Sequence, residues 1–419
     1  MTTYVVKKLK FQNGERYSLL MGPDGLPVQE VVLFLNRYRR RGRAAATIHL
    51  VCHNLALLYR QCAASNIDLL GRLQQGQFLD SAELGRIAEV SQYKYKDLDY
   101  DENAGDIDKQ VVDISRIRLR RSKKVKQLEA VGKASQSNRI RYIAAFLDFL
   151  VKYCAASLPQ SQRRAFEAES LSAMEAFKAQ IPKMPKRNQL DAREGLSLED
   201  QNRLMSVVHP ESPLNPWKRQ FVRRRNWVIV MLLLATGMRG GELLGLQIRD
   251  LMANTAQLKI LRRADSPDDP RTTQANTKTD DRLLELRPAV MKAVWEYINT
   301  DRARIKATRK YAQVFVAQNG FPLSARALST LFEELRAACP GLPVTLTSHV
   351  MRHTWNERFS EQAEEMGLSE QAEKRARNEQ QGWSADSESG KTYTRRYASK
   401  KGREVALKLQ EKLDGNSVV

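Results

Sequence analysis

The chain has 419 residues, 69 of them Lys or Arg against 48 Asp or Glu, for a formal net charge of +21. With 42% hydrophobic and 28% charged residues it is neither a low-hydrophobicity disordered chain nor a membrane protein, and at roughly 150 residues per domain it holds two or three folded units. An excess of cations this large repels itself and asks for a polyanionic partner, nucleic acid ahead of an acidic membrane surface. The longest apolar run, Trp227 to Ala235, falls short of the about 20 residues a bilayer span needs. No apolar secretory leader opens the sequence, so a cytoplasmic location is expected.

In chain order, Tyr4 to Val6 and Tyr17 to Leu20 flank the turn signal Asn13-Gly14, and Gly22 to Gly25 closes a short N-terminal β arm over 1–27. From Val31 the spacing becomes helical: Val31, Phe34, Leu35 and Tyr38 share one face, then Ile48, Cys52, Leu55, Leu58 and Tyr59 another. The arginines from Arg37 to Arg43 fall at the helix end between them. Beyond an acidic stretch from Asp97 to Asp108, Arg116 to Lys126 is a basic block with no acid, leading into an amphipathic helix over Asn138 to Tyr153. Such a block is either a solvated loop or a phosphate contact.

A basic, proline-punctuated linker over Ile181 to Asn188 marks a second boundary, giving segments 28–186 and 187–419. The later segment opens on a helix that Ser197 can cap, with Glu199 and Asp200 in its first turn. Helices dominate from there. The exceptions are Ala256 to Leu261 and Arg282 to Leu286, two alternating runs that read as a hairpin or small sheet. The fold class is therefore mainly α with a small β component. Cys52, Cys62, Cys154 and Cys339 are scattered and form no C-x-x-C pair, and the five histidines form no H-E-x-x-H; free thiols, no metal and no cofactor are expected.

The chemistry concentrates in the later segment. A buried apolar helix should stop at Thr236-Gly237, leaving Arg239 at the start of the next helix with Glu242 one turn on. A guanidinium with a buried stem and a presented fork suits bidentate phosphate binding; a plain Arg239–Glu242 surface pair is the alternative. Downstream lie Thr277 to Arg282 on the hairpin, His349-Val350-Met351-Arg352-His353, Gly382-Trp383, and the tyrosines Tyr393 and Tyr397.

Taken together, these motifs resemble the tyrosine recombinase (phage integrase) family from about Leu196 to the C-terminus. Thr236 to Leu246 matches T-G-x-R-x-x-E-L-x-x-L, His349 to His353 matches H-x-x-R-H, and Gly382-Trp383 matches the Gly-His/Trp element. Trp383 follows Arg352 at a longer interval than usual, the extra length lying in Glu361 to Gln381. The resemblance implies a two-domain DNA clamp, a helical core-binding (SAM-like) domain followed by a catalytic domain, with a tetramer assembled on two double-stranded DNA sites.

It further implies that Arg239 and Arg352 neutralise the scissile phosphate, that Lys278 protonates the departing 5′-oxygen, and that His349 serves as base or orienting group. Trp383 donates a hydrogen bond, its indole being unable to shuttle a proton, and His353 packs in support. Tyr393 is the preferred nucleophile on its spacing from Trp383, with Tyr397 four residues on and on the same helix face. The implied activity is integration or excision of a mobile element by a site-specific recombinase acting through a 3′-phosphotyrosyl intermediate. A non-cleaving DNA-binding regulator and a type IB topoisomerase-like enzyme are the alternatives.

Overall fold

A computed structural model describes residues 4–95, 98, 128–183, 194–275 and 279–414. The acidic stretch, the block Arg116 to Lys126, most of the basic linker and Lys278 lie outside the described residues. The chain divides into two compact units, Met1–Phe11 with Glu15–Arg187, and Gln12–Gly14 with Asn188–Val419. Both are predominantly helical, with small antiparallel sheets. Among the described residues no helix is long and apolar enough to cross a membrane.

In the first unit, β1 (Val5–Lys10) and β2 (Arg16–Met21) pair antiparallel from Val5↔Met21 to Lys10↔Arg16, as the Asn13-Gly14 turn signal predicts. The hairpin does not stand apart from the helices. Tyr17 and Leu20 are buried in the same core as α1 (Gln29–Arg40), α2 (Ala45–Ala64), α3 (Leu69–Gln74), α4 (Ser81–Val90), α5 (Lys133–Ala155) and α6 (Gln160–Ala179). Phe146 on α5 lies edge-on to Phe34 at 5.2 Å and 6.0 Å from Tyr59, whose hydroxyl donates to the buried Glu30 carboxylate. Two arginines of the Arg37 to Arg43 cluster are already engaged within the unit: Arg39 pairs with Glu15 and lies over the Tyr17 ring, and Arg37 lies over the Phe149 ring at 5.4 Å. The cysteines are free, and burial pushes the Cys52 and Cys62 thiols up to about 12, leaving them as small apolar side chains.

On α2, His49 shares a hydrogen bond with Ser18 at 2.9 Å and meets His53 edge-on at 4.5 Å between ring centroids. Burial, helped by the Lys8 charge and then by His53, holds His49 down at about 4. Below its ordinary value near 6.5 the unfolded histidine takes up a proton that the folded one refuses until about 4, so the unfolded state binds more protons in that window. Stability therefore falls as pH drops from about 6.5 to about 4 and levels off below. Calorimetry of the full chain across this range should show a shallower decline for His49→Gln than for the wild type.

The second unit is built around α8 (Gln220–Thr236), whose Val228, Ile229, Val230, Leu232 and Leu233 are all fully buried. Against it packs α12 (Ser348–Glu365), after α7 (Leu198–Val208), α9 (Gly240–Gly245), α10 (Pro288–Glu296) and α11 (Ala325–Ala338). Ser197 caps α7 as expected, accepting from the Asp200 N–H. Glu357 and Thr354 on α12 accept from the Gly195 and Leu196 N–H groups, tying down the start of the unit. The two alternating runs form β4 (Gln257–Ile260) and β5 (Arg282–Glu285), with the short β3 (Leu251–Met252) as a third strand in the order β3-β4-β5.

The extra length before Trp383 is a helix, α13 (Glu370–Gln381), capped at its start by Ser369. Two last helices follow, α14 (Gly390–Tyr393) and α15 (Arg395–Asp414). The interruption at Thr394 corrects the expectation that Tyr393 and Tyr397 ride one helix face. Thr394 takes φ −104°, ψ 13°, and its hydroxyl bonds back to the Gly390 carbonyl at 3.3 Å, so the turn closes on itself before α15 begins. Val405, Leu407 and Leu409 on α15 are exposed.

Candidate active site

The second unit brings Arg239, His349, Arg352, Trp383 and Tyr393 to one place, by way of three local devices. The first is the end of α8. Gly237 takes the left-handed conformation (φ 60°) that a glycine adopts without penalty, and a Cβ there would come within 2.8 Å of the Trp355 ring. The turn frees the Gly237 carbonyl, which accepts from Arg352 Nη1 at 2.9 Å, and sets Arg239 at the head of α9.

The second device is the start of α12. Thr347 caps it by accepting from the Val350 N–H at 3.3 Å, and His349, Arg352 and His353 then follow at the three- and four-residue spacing that shares one helix face. The third is the end of α13, where left-handed Gly382 turns the chain and Gln381 Nε2 donates to the Thr236 carbonyl at 3.2 Å, bringing Trp383 in beside Arg352.

At the centre Arg352 is fully buried. Its guanidinium carbon lies 4.9 Å from the Trp383 ring centroid and 5.4 Å from that of Tyr393, and the two rings stack at 5.5 Å with 21° between their planes. His353 (4.6 Å) and His349 (5.6 Å) approach the Tyr393 ring from α12; His353 is buried and His349 exposed. Arg352 Nε and Nη2 and the Trp383 indole N–H are buried donors with no protein acceptor. Burial, then the neighbouring Arg239 charge, pushes the Arg352 guanidinium down to about 10, against the opposing pull of Glu242 and Tyr393.

Arg239 is only partly exposed, and its ion pair with Glu242 is long, at 3.3 Å. The expected alternative, a plain surface pair, is not what forms. Glu242 is buried and accepts in addition from the Arg239 backbone N–H (2.9 Å), the Thr279 hydroxyl (2.6 Å) and Arg282 Nη2 (2.8 Å). Burial alone would raise its pKa, but the Arg282 charge and these bonds outweigh that and hold the carboxyl below its ordinary value.

Tyr397 is placed differently. Its hydroxyl donates to Glu364 at 2.6 Å, and Lys401 pairs with the same carboxylate at 2.7 Å. Burial, and next this bond to an anion, push the Tyr397 phenol up. Among the described residues, no cluster of three or more His, Cys, Asp or Glu side chains is arranged to hold a metal ion.

The sequence model of the phage integrase family matches residues 196–399, the stretch that contains Arg239, His349, Arg352, Trp383, Tyr393 and Tyr397. Through it, residues 196–399 belong to the phage integrase family. It is 26% identical over 152 residues to the tyrosine recombinase XerD of Halalkalibacterium halodurans, an alignment covering 36% of this chain and 46% of that protein. The chain thus spans about half the length of that curated relative. Among solved structures, the integrase of the Tn1549 transposon in complex with circular intermediate DNA is 16% identical, covering 85% of this chain and 91% of that one with a TM-score of 0.46. The XerH recombinase in a post-cleavage complex with palindromic difH is 15% identical, covering 79% and 85% with a TM-score of 0.42.

Within this phage integrase family stretch, the residues that motif reading passed over are Thr279 and Arg282. Both stand in the quoted Thr277 to Arg282 run, yet nothing local marks them. Their partner Glu242 lies 37 and 40 residues away, and Arg282 Nε reaches the Gln380 carbonyl 98 residues on. The adjoining Lys278 and the alternating run from Arg282 to Leu286 are the signals that point at this stretch.

Proposed function

We propose that this protein is a site-specific DNA recombinase that cuts and rejoins duplex DNA through a 3′-phosphotyrosyl bond to Tyr393, serving integration or excision of a mobile element. The observation that carries the reading is the set of buried donors without acceptors, Arg352 Nε and Nη2 and the Trp383 indole N–H, gathered around the Tyr393 ring. Unpaired buried donors are costly, and an incoming phosphate is the acceptor they fit.

In the forward step the Tyr393 oxygen attacks phosphorus, forming the P–O(Tyr) bond as the P–O5′ bond breaks. The phenolic proton leaves toward His349, and Lys278 supplies a proton to the departing 5′-oxygen. Arg239 and Arg352 offset the charge that builds on the non-bridging oxygens. Attack by a 5′-hydroxyl of the partner duplex reverses each of these moves and releases Tyr393. Lys278 is assigned from its sequence position; the bond from its neighbour Thr279 to Glu242 supports that assignment. Tyr397 suits the nucleophile's role less well, because its hydroxyl bonds an anion that disfavours the phenolate.

The same reading takes 28–186 as the DNA-gripping core-binding domain and 187–419 as the catalytic domain. It puts four protomers on two DNA sites and the reaction in the cytoplasm with its substrate. The net charge of +21 supports a polyanionic substrate. As a test, the wild-type protein is mixed with a pool of nicked duplexes of random sequence, and DNA in detergent-resistant complexes is recovered, amplified and mixed again. A single enriched sequence attached through phosphotyrosine is the expected result; DNA binding with no covalent complex after repeated rounds would overturn the reading.

A further inference from the structure

We infer that Arg282 is a positioning residue for strand cleavage, holding the segment that follows Lys278 in fixed relation to Arg239 and Trp383. The inference rests on the proposed recombinase reaction and adds to it a residue that touches neither DNA nor Tyr393.

The Arg282 side chain is only 4% exposed, and it reaches three separate stretches of the chain. Nη2 donates to Glu242 Oε2 at 2.8 Å, on the helix that Arg239 heads. Nη1 donates to the Thr279 hydroxyl at 3.1 Å, one residue past Lys278. Nε donates to the Gln380 carbonyl at 2.8 Å, three residues before Trp383. These stretches also touch one another. Thr279 bonds the Glu242 oxygen that Arg239 shares, and the Asp280 N–H donates to the Gly382 carbonyl at 3.1 Å. The fit is close enough that a Cβ on Gly382 would lie 2.9 Å from Arg282 Nη1 and 2.8 Å from the Asp280 carbonyl oxygen.

A lysine matches none of this, since its ammonium is a point charge on a flexible stem rather than a planar fork with donors in fixed directions. Without Arg282, Glu242 loses its main counter-charge and Thr279 loses one of its two partners. The strand entry beside Lys278 then shifts relative to the arginines. A misplacement of about 1 Å can cost on the order of 10²-fold in rate even when every reacting group is still present.

The test uses the nicked duplex recovered with the wild-type protein, made either with its natural 5′-oxygen or with sulfur at the scissile 5′ position. A thiol leaves as thiolate, its pKa being about 8.5, and needs no proton donor. Single-turnover adduct formation is measured for the wild type and for Lys278→Ala, Arg282→Met, Arg282→Lys and Thr279→Val, with a melting curve for each. The expected result is that Arg282→Met and Arg282→Lys lose roughly 10²-fold on the oxygen duplex at unchanged DNA affinity and return close to wild-type rate on the sulfur duplex, as Lys278→Ala does. Thr279→Val should show the same pattern more weakly, and it decides alone should both Arg282 variants fail to fold.

Equal losses on oxygen and sulfur for folded Arg282 variants, alongside rescue of Lys278→Ala, would overturn the inference and leave the recombinase reading standing. Failure of sulfur to rescue Lys278→Ala removes the lysine's assigned role and the inference with it. Absence of any wild-type adduct removes the reaction itself.

Discussion

A Tyr393→Phe protein forms no detergent-resistant complex with the nicked duplex, whereas Tyr397→Phe forms it to the wild-type extent. The two residues are four apart in sequence, yet the break at Thr394 sends them to different surroundings. Tyr393 is packed among Trp383, His349, His353 and the Arg352 guanidinium. Tyr397 gives its hydroxyl to Glu364. A phenol has to shed its proton to attack phosphorus, so cations nearby help and a bonded carboxylate hinders. Replacing Tyr393 by Phe removes one oxygen and keeps the ring that the neighbours pack against, so the variant should fold and still bind DNA. A gel under denaturing conditions, paired with a binding measurement on the same samples, checks both statements. An adduct that survives in Tyr393→Phe and vanishes in Tyr397→Phe would reverse the assignment.

Arg352→Met is the second large effect, and it runs in opposite directions for activity and stability. In the unbound protein the guanidinium is fully buried, Nη1 bonds the Gly237 carbonyl, and Nε and Nη2 have no acceptor. Its pKa is pushed down to about 10, so folding disfavours the charged form. The sign follows from linkage: the penalty is present in full below about pH 10 and is relieved only as pH rises from there toward the ordinary value of 12.5. At neutral pH the charge on Arg352 therefore works against folding, partly offset by the Gly237 bond and the ring contacts. Methionine fills much of the same stem volume without the charge, and the unbound variant should melt no lower than the wild type. Adduct formation should fall by about 10²–10³-fold or more, the loss typical of a preorganised donor to a developing oxyanion. Melting curves and single-turnover kinetics on one preparation measure both. A variant that melts far below the wild type but cleaves normally would contradict the placement of Arg352 at the phosphate. This is the trade between stability and function expected where a site holds groups in a state that only the substrate satisfies.

Much of the fold could be read from local pattern because the signals are local. Asn13-Gly14 marks the hairpin, Ser197 the start of α7, Thr236-Gly237 the end of α8, and the alternating runs the strands β4 and β5. The candidate site was legible through motif spacing, since Arg239, His349, Arg352, Trp383 and Tyr393 sit in short patterns that the fold then gathers. Two features escaped. The stop at Thr394 has no glycine or proline to announce it; it depends on a threonine hydroxyl turning back to the Gly390 carbonyl. The Glu242–Thr279–Arg282 contacts join residues 37 and 40 positions apart, and a pairing at that distance leaves no periodicity in either stretch. Glu242 itself was visible only as a neighbour for Arg239, a role it fills weakly at 3.3 Å.

The single carboxylate of Glu242 has a consequence for how this site can change over time. Arg239, Thr279 and Arg282 all converge on its two oxygens, so no one of the four can be exchanged without altering what the other three experience. Substitutions within such a set do not add, because each changes the partners left to the others. A double-mutant cycle between any two of these positions should therefore show strong coupling, whereas exchanges on the helices around them should add independently.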